Sequence, residues 1–311
     1  MQHVVMFSAG AGSWAAAKRV AERVGLDRLQ LLFTDTLMED PDAYRFLIEG
    51  AANVFGISLS GRMKVPSYSE FPDFRDRPKW KRYLERLSTE AVATIPQLVW
   101  LKDGRDIWEV FFDERFLGNS RLDPCSKILK RRAADRWLVE NCDPRDTVCY
   151  VGIDFTEAHR FDDGRGGGLR PRRALEGWTY EAPLCSEPWL AKWDVIEWMR
   201  AERIAPPRLY ALGFSHNNCF GFCIKAGHAH YRLLLQTLPD VYSYHEQKEQ
   251  EIREYLGKDV SILADRRHGN KKRPLTLRAF RMRATSEHAS SSEDSDYGGC
   301  GCFIDQTAST E

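Results

Sequence analysis

The first 25 residues constrain the fold more than any other part of the sequence. An apolar run at residues 4–7 (VVMF) gives way to the small residues SAGAGS at 8–13, and the helix-forming sequence WAAAKRVAERV follows and is closed by Gly25. An apolar run that ends in small residues indicates a buried strand turning into a loop, and the next segment predicts a helix with a glycine stop. Such a unit points backbone N–H groups and a helix N-terminus at one place, which suits a phosphate or another anion.

Two familiar phosphate motifs are absent from this loop. No Gly-Lys-Ser or Gly-Lys-Thr ends it, and it lacks the spacing G-x-G-x-x-G, so it is neither a Walker A motif nor a dinucleotide fingerprint. The remaining alternative to anion binding is that the small residues only allow close packing. The sequence beyond the loop has to decide between the two.

A second strand and helix follow directly. The segment LQLLFTDTL predicts a strand ending in Asp35, and the next segment predicts a helix with Asp40 as N-cap and Pro41 at its first position. A later strand is predicted at 147–156, with Asp154 at its carboxyl end. Alternating strands and helices favour an α/β fold, a Rossmann-like parallel sheet with flanking helices. Asp35 would then lie where open α/β sheets bind ligands, unless it only caps the entry to the helix.

Length and composition suggest more than one unit. With 311 residues, 43% of them hydrophobic and 12% aromatic, the chain can bury a large core. We predict an α/β nucleotide-binding domain at 1–185, a smaller helical region at 186–283 and a flexible tail, rich in serine and acidic residues, at 284–311. The formal net charge is zero, no run of 18 apolar residues occurs and no export leader is apparent, so a soluble cytoplasmic protein is expected.

The eight cysteines are too few for a disulfide-built scaffold. Three of them stand alone among apolar or turn residues and suit buried packing: Cys142, Cys149 and Cys185. The other five lie in polar or glycine-containing sequence and require another explanation: Cys125, Cys219, Cys223, Cys300 and Cys302.

The loop, the strand-end acid and several further segments together resemble a known family. The first loop has the form S-x-G-x-x-S, and the other segments are FTDTLMED, SRLDPCSKILKR, YVGIDFTEAHR, HNNCFGFCIKAGHAHY and the terminal GGCGCF. This set resembles the PP-loop ATP pyrophosphatases, in particular the phosphoadenosine phosphosulfate reductase-like branch (adenine nucleotide alpha-hydrolase-like proteins) found in bacteria and phages. The family usually has two adjacent glycines after the first serine, whereas this chain has Ala9 in place of the first of them.

The resemblance implies roles for particular residues. Phosphates of ATP would be contacted by Ser8, Gly10, Gly12 and Ser13. Asp35 would lie near the adenosine as a nucleotide-binding and catalytic residue, either bonded to a ribose hydroxyl or holding Mg²⁺ through water. The cysteines of the tail, Cys300 and Cys302, resemble the mobile catalytic cysteine with which sulfonucleotide reductases attack their substrate, the alternatives being further cluster ligands or an exposed tail.

A metal centre is predicted at three of the other cysteines. Cys219 and Cys223 are four residues apart, so they share a face if their segment is helical, and Cys125 would complete the set. Three cysteines around an open site suit a [4Fe–4S] cluster with one free iron, as in sulfur-transferring PP-loop enzymes. Two alternatives stay open: Zn²⁺ with a histidine such as His216, His228 or His230, and unliganded thiols.

The positive charges favour a nucleic-acid partner. Residues 266–283 carry eight Lys or Arg and no acid, although a charged stretch usually forms only a solvated face. The predicted contacts to tRNA or DNA are Lys127, Lys130, Arg131, Arg266, Arg267, Lys271, Lys272 and Arg273. A doubly phosphorylated nucleotide is the alternative ligand.

Three functions follow as hypotheses. The leading one is an ATP-dependent enzyme that modifies nucleic acid by sulfur transfer or related base chemistry, with a sulfur donor as a further partner. The second is a sulfonucleotide reductase. The third is a DNA-acting defence protein with a degenerate loop that cleaves no ATP, even one that excises a base, and Ala9 is the feature that favours it.

Overall fold

A computed structural model describes residues 1–265 and 273–286. The expectations for Arg266, Arg267, Lys271 and Lys272, and for the tail with Cys300 and Cys302, therefore lie outside the described residues.

A sheet of five parallel strands forms the centre of the molecule. Its strands are β1 (Gln2–Met6), β2 (Leu29–Asp35), β3 (Leu98–Lys102), β4 (Thr147–Tyr150) and β5 (Thr179–Glu181). The order across the sheet is β3-β2-β1-β4-β5, and all four neighbouring pairs are parallel. The strand order reverses between β1 and β4, which makes the carboxyl ends of these two strands the topological switch point.

Helices account for most of the remaining regular structure. Along the chain they are α1 (Ala11–Val24), α2 (Pro41–Val54), α3 (Arg77–Thr94), α4 (Ile107–Asp113), α5 (Ala133–Asn141), α6 (Ala158–Phe161), α7 (Leu169–Leu175), α8 (Lys192–Ala201), α9 (Arg208–Ala211), α10 (His228–Thr237), α11 (Pro239–Leu256) and α12 (Leu277–Ser286). A π-helical turn, Ser126–Arg132, leads into α5. Short 3₁₀ turns occur at Tyr68–Glu70, Phe155–Glu157, Pro183–Cys185 and Cys219–Gly221.

The alternation of side chains along β1 explains why both faces of the sheet are covered. Val5 and Phe7 belong to the larger hydrophobic cluster with α1 and α2, whereas Val4 and Met6 belong to the cluster with α5 on the other face. Successive residues of a strand point to opposite faces, so an unbroken apolar run needs helices on both sides. The predicted α/β class with a Rossmann-like parallel sheet is confirmed.

The first predicted helix ends, and the second begins, at the caps that the sequence indicates. Gly25 closes α1 with φ of +80°, and the Asp40 side chain accepts a hydrogen bond of 2.8 Å from the backbone N–H of Asp42 at the start of α2. The strand expected at 147–156 is shorter, since β4 ends at Tyr150 and Asp154 instead caps the turn Phe155–Glu157. Just beyond this end of the strand, Gly152 packs against the first loop.

The region after residue 186 is mainly helical and also contains a small hairpin. The strands β6 (Leu263–Asp265) and β7 (Arg273–Leu275) pair antiparallel. Side chains of α8, α10 and α11 belong to the same hydrophobic cluster as α1 and α2, so this region packs directly on one face of the α/β unit. No helix among the described residues is long and apolar enough to cross a membrane.

Candidate functional site

The loop between β1 and α1 is held in shape by Ser13. The hydroxyl of Ser13 accepts hydrogen bonds from the backbone N–H groups of Ser8 at 3.2 Å and Gly10 at 3.3 Å, and it donates to the carbonyl of Gly10 at 2.9 Å. Ser13 is only 4% exposed, whereas the side chain of Ser8 is partly accessible. Ser13 therefore shapes the loop, and Ser8 is the hydroxyl better placed to meet a ligand.

Ala9 adopts the left-handed conformation that its position in the loop requires. Its φ is +56°, in the region that costs an L-residue about 1–2 kcal/mol relative to the right-handed conformation. The side-chain amide of Asn217 donates a hydrogen bond of 2.8 Å to the carbonyl of Ala9, and Ala9 itself is buried. The loop thus has the backbone geometry that a glycine would favour, although the residue is alanine.

Two glycines let the loop approach the end of β4. A Cβ atom on Gly12 would lie 2.7 Å from the carbonyl oxygen of Gly152. A Cβ atom on Gly152 would lie 2.5 Å from the nitrogen of Ser13 and 2.6 Å from the carbonyl carbon of Gly12. This contact lies at the switch point of the sheet, so the loop occupies the place where ligands of open α/β sheets bind.

Residues from the C-terminal region cover the start of α1. The backbone N–H of Ala11 donates a hydrogen bond of 3.0 Å to the hydroxyl of Tyr210. The ammonium of Lys192 lies 4.0 Å from the centroid of the Tyr210 ring and donates to the carbonyl of Ser215 at 2.6 Å. Burial lowers the pKa of Lys192. Lys192 therefore places positive charge beside Tyr210, which contacts the end of the loop 8–13 that the sequence predicts to bind phosphate, here called the phosphate-type loop.

Asp35 lies at the end of β2, as predicted, and is fully buried. Its carboxylate accepts hydrogen bonds from the backbone N–H of Leu37 at 2.7 Å, the hydroxyl of Tyr44 at 2.8 Å and the indole N–H of Trp100 at 3.0 Å. Burial raises the pKa of Asp35 to about 6. Asp35 therefore fixes the turn between β2 and α2, while the capping of α2 falls to Asp40.

The raised pKa of Asp35 predicts a pH dependence of stability. Between about pH 4 and 6 the folded chain holds a proton that the unfolded chain releases, so this group lowers the free energy of unfolding as the pH rises, by about 3 kcal/mol in total. We expect the urea midpoint of the variant Asp35→Asn to fall less steeply with rising pH across this range than the midpoint of the wild type. Replacing the exposed Asp27 by asparagine should preserve the wild-type decline, and equal slopes for all three proteins would contradict the prediction.

The three cysteines predicted to converge line one small cavity of about 30 Å³. Cys125 precedes the π-helical turn, Cys219 begins the 3₁₀ turn Cys219–Gly221, and Cys223 follows shortly after that turn. The segment is not an α-helix across both cysteines, because Cys219 and Phe220 have φ of +51° and +53°, so the condition for a shared helical face is not met. A left-handed turn brings the two cysteines to the cavity instead. Among the described residues, no group of three or more His, Cys, Asp or Glu side chains has the arrangement of a metal site.

Buried ion pairs surround this cavity. The ammonium of Lys130 lies 3.6 Å from the carboxylate of Glu39, and that of Lys225 lies 3.7 Å from the carboxylate of Asp123. Glu39 also accepts hydrogen bonds from the hydroxyl of Thr36 at 3.0 Å and from the backbone N–H of Cys219. Both lysines line the cavity, so it combines soft sulfur ligands with balanced charge.

The three histidines considered as zinc ligands lie outside the described lining of this cavity. His216 and His230 are stacked with ring centroids 5.1 Å apart, and burial lowers the pKa of His216 to about 3. A ring nitrogen of His230 lies 2.7 Å from the carbonyl of Gly221, and one of His228 lies 3.1 Å from the carbonyl of Ala264. These hydrogen bonds give His228 and His230 structural partners, whereas the buried Nδ1 of His216 has no hydrogen-bond partner among the described residues.

The basic residues predicted to contact nucleic acid divide into two groups. Lys127 and Arg273 are exposed. Lys130 and Arg131 are buried at 3% and 6% exposure, and Arg131 pairs with Asp123 at 3.2 Å. The latter two are thus not on the surface expected for a contact to phosphates.

No protein-family model and no curated protein matches the chain.

Sequence reasoning missed Tyr210 and Asn217, although both bond to the first loop. They lie 199 and 208 residues from their partners, Ala11 and Ala9. Neither belongs to a local pattern that singles it out. The only signal is that Asn217 stands two residues before Cys219, in a segment already noted for its cysteines.

Proposed function

We propose that this chain is an ATP-dependent enzyme of the PP-loop type that modifies nucleic acid by sulfur transfer or related base chemistry at its cysteine cavity. One observation carries the proposal: residues 217–223 contact the phosphate-type loop at one end and contribute two cysteines to the cavity at the other. A nucleotide site and a thiol site are thereby joined by seven residues.

The loop supports the nucleotide part of this proposal. Its backbone N–H groups and the N-terminus of α1 lie at the switch point of a parallel sheet, with Lys192 close by. This combination of a helix dipole and positive charge is suited to the phosphates of ATP. Mg²⁺ would accompany the triphosphate, as is usual for such substrates.

The cavity supports the sulfur part. Thiolates are the usual ligands of iron–sulfur clusters and are also good ligands for zinc. With three cysteines, a [4Fe–4S] cluster would keep one iron free for substrate or sulfide, and a zinc ion would keep one coordination position free. Cys125, Cys219 and Cys223 would hold a [4Fe–4S] cluster, which when bound would supply a site for sulfide. Lys130 and Lys225 also line the cavity, each paired with a carboxylate.

The nucleotide site is tested at Ser8. The variant Ser8→Asp places a negative charge where the phosphates would bind, and we expect its affinity for Mg·ATP to fall at least about tenfold, a loss of about 1.4 kcal/mol. The matched control is Ser8→Asn, which has nearly the same size and no charge and should lose much less. Isothermal titration of both variants and of the wild type measures the difference.

The outcomes of this titration separate the candidate functions. Equal affinity in all three proteins would place ATP elsewhere. If the wild type binds no ATP, the enzyme hypothesis fails, and a DNA-acting protein with a degenerate loop becomes the better description. Where ATP binds, pyrophosphate release with and without tRNA or DNA distinguishes a nucleic-acid-modifying enzyme from a sulfonucleotide reductase.

A further inference from the structure

A second and much larger cavity adjoins the cysteine cavity. It has a volume of about 840 Å³ and lies between the segment 115–121 and the β6–β7 hairpin. Lys225 lines both cavities, so the larger one, here called the basic cleft, reaches the wall of the smaller. Its volume falls within the roughly 300–1,000 Å³ that is typical of small-molecule sites.

Most of the charged residues among the described lining of the basic cleft are cations. Its exposed cations are Arg115, Arg121, Lys258 and Arg273. Within the described part of the chain none of these four forms an ion pair with an acid. Of the lining residues that the structure describes, the single acid is Asp259, and it pairs with Arg253 at 2.8 Å. The cleft therefore presents uncompensated positive charge to solvent, which attracts phosphates.

An aromatic side chain stands among these cations. Phe116 is 36% exposed and lines the cleft, and the guanidinium of the adjacent Arg115 lies 5.6 Å from the ring centroid of Tyr255. Cationic grooves with accessible aromatic rings are the common surface for single-stranded nucleic acid, because the cations follow the backbone and the rings stack on bases. A base paired within a duplex offers no free face to such a ring.

We infer that the basic cleft binds single-stranded nucleic acid and directs one nucleotide toward Lys225 and the cysteine cavity. This inference rests on the proposed function. Chemistry on a base requires that the base leave its stack, and a cleft that accepts only unpaired nucleotides would meet this requirement. Arg121, Lys258 and Phe116 would act in binding and are not catalytic residues.

The test compares two pairs of charge reversals in the full-length chain. The double variant Arg121→Glu/Lys258→Glu alters the cleft, and the matched control Lys79→Glu/Arg82→Glu alters two exposed cations of α3 that line neither cavity. The probes are fluorescein-labelled single strands of about twelve nucleotides, one of DNA and one of RNA, and the duplex of the same sequence. Fluorescence anisotropy is measured over a salt series.

We expect the cleft variant to bind single strands at least about thirtyfold more weakly than the wild type, with the control within about threefold. The slope of log K against log salt should flatten by about 1.4 in the cleft variant, since each contact to a single strand contributes about 0.7. Phe116→Ala should weaken binding without changing this slope. A preference of the wild type for DNA or RNA would identify the source of the strand.

Three results would overturn the inference. Two of these results concern the cleft alone: equal losses of affinity in the cleft variant and the control, and tighter binding of the duplex than of the single strand. Either would reject the cleft as the binding site for single strands and leave the nucleic-acid partner of the proposed function in place. Absence of binding to every probe by the wild type would reject both.

Discussion

The variant Gly152→Ala should lower the free energy of unfolding by about 3 kcal/mol and abolish ATP binding. The added methyl group would lie 2.5–2.7 Å from the backbone of Gly12 and Ser13, and these atoms belong to the loop and to the first turn of α1. No side-chain rotation relieves a clash between two backbones. The loop or the end of β4 must therefore move, and the phosphate-type geometry is lost with it. Chemical denaturation and ATP titration measure the two effects.

Gly164→Ala is the control for this variant. Gly164 has φ of +70° and no atom within 4 Å of an added Cβ, so the substitution imposes backbone strain without a clash. It should cost about 1 kcal/mol and leave ATP binding unchanged. If Gly152→Ala lowers the free energy of unfolding no more than Gly164→Ala does, the contact between the loop and the strand is not tight.

The second large effect is expected at the cysteine cavity. Protein purified without oxygen should contain iron and absorb broadly in the visible range, and Cys125→Ser or Cys219→Ser should remove most of both signals, because serine is a poor ligand for iron–sulfur clusters. Metal analysis and visible spectra measure this directly. Chelation of the wild type should likewise bleach the absorbance.

Cys142→Ser is the matched control, since Cys142 ends α5 and is not part of the cavity. It should keep the wild-type iron content. If metal analysis finds one equivalent of zinc and no iron, the zinc site is the correct hypothesis and the cluster is rejected. Metal-free wild-type protein, or equal iron in all the variants, would show that these thiols hold no cluster.

The fold was predictable because its signals are local. The apolar run before Ser8, the glycine stop at Gly25 and the cap at Asp40 each act within a few residues, and the structure confirms all three. The parallel sheet follows from alternating strands and helices. The end of β4 was predicted too late in the sequence, and the contact that follows the observed end, between Gly152 and Gly12, joins residues that are distant in sequence.

The candidate site was less predictable because its contacts are distant in sequence. Residue type alone identified Cys125, Cys219 and Cys223 as candidates. Their spacing would have put Cys219 and Cys223 on one face of a helix, whereas the structure has a left-handed turn there. Lys130 was predicted to be a surface cation because it is charged. It is buried instead, and its ammonium lies close to the buried carboxylate of Glu39. Such pairings are determined by tertiary packing and leave no periodic pattern.

The link between Asn217 and Ala9 has a thermodynamic consequence. If occupation of the loop changes the strength of this hydrogen bond, the conformational equilibrium of residues 217–223 changes with it, and so does the affinity of the cavity for its own ligand. Linkage requires the reverse effect to be equal in free energy. A ligand at the sulfur atoms would then raise or lower the affinity for a phosphate compound by the same factor, so that the two sites would report on each other's occupancy.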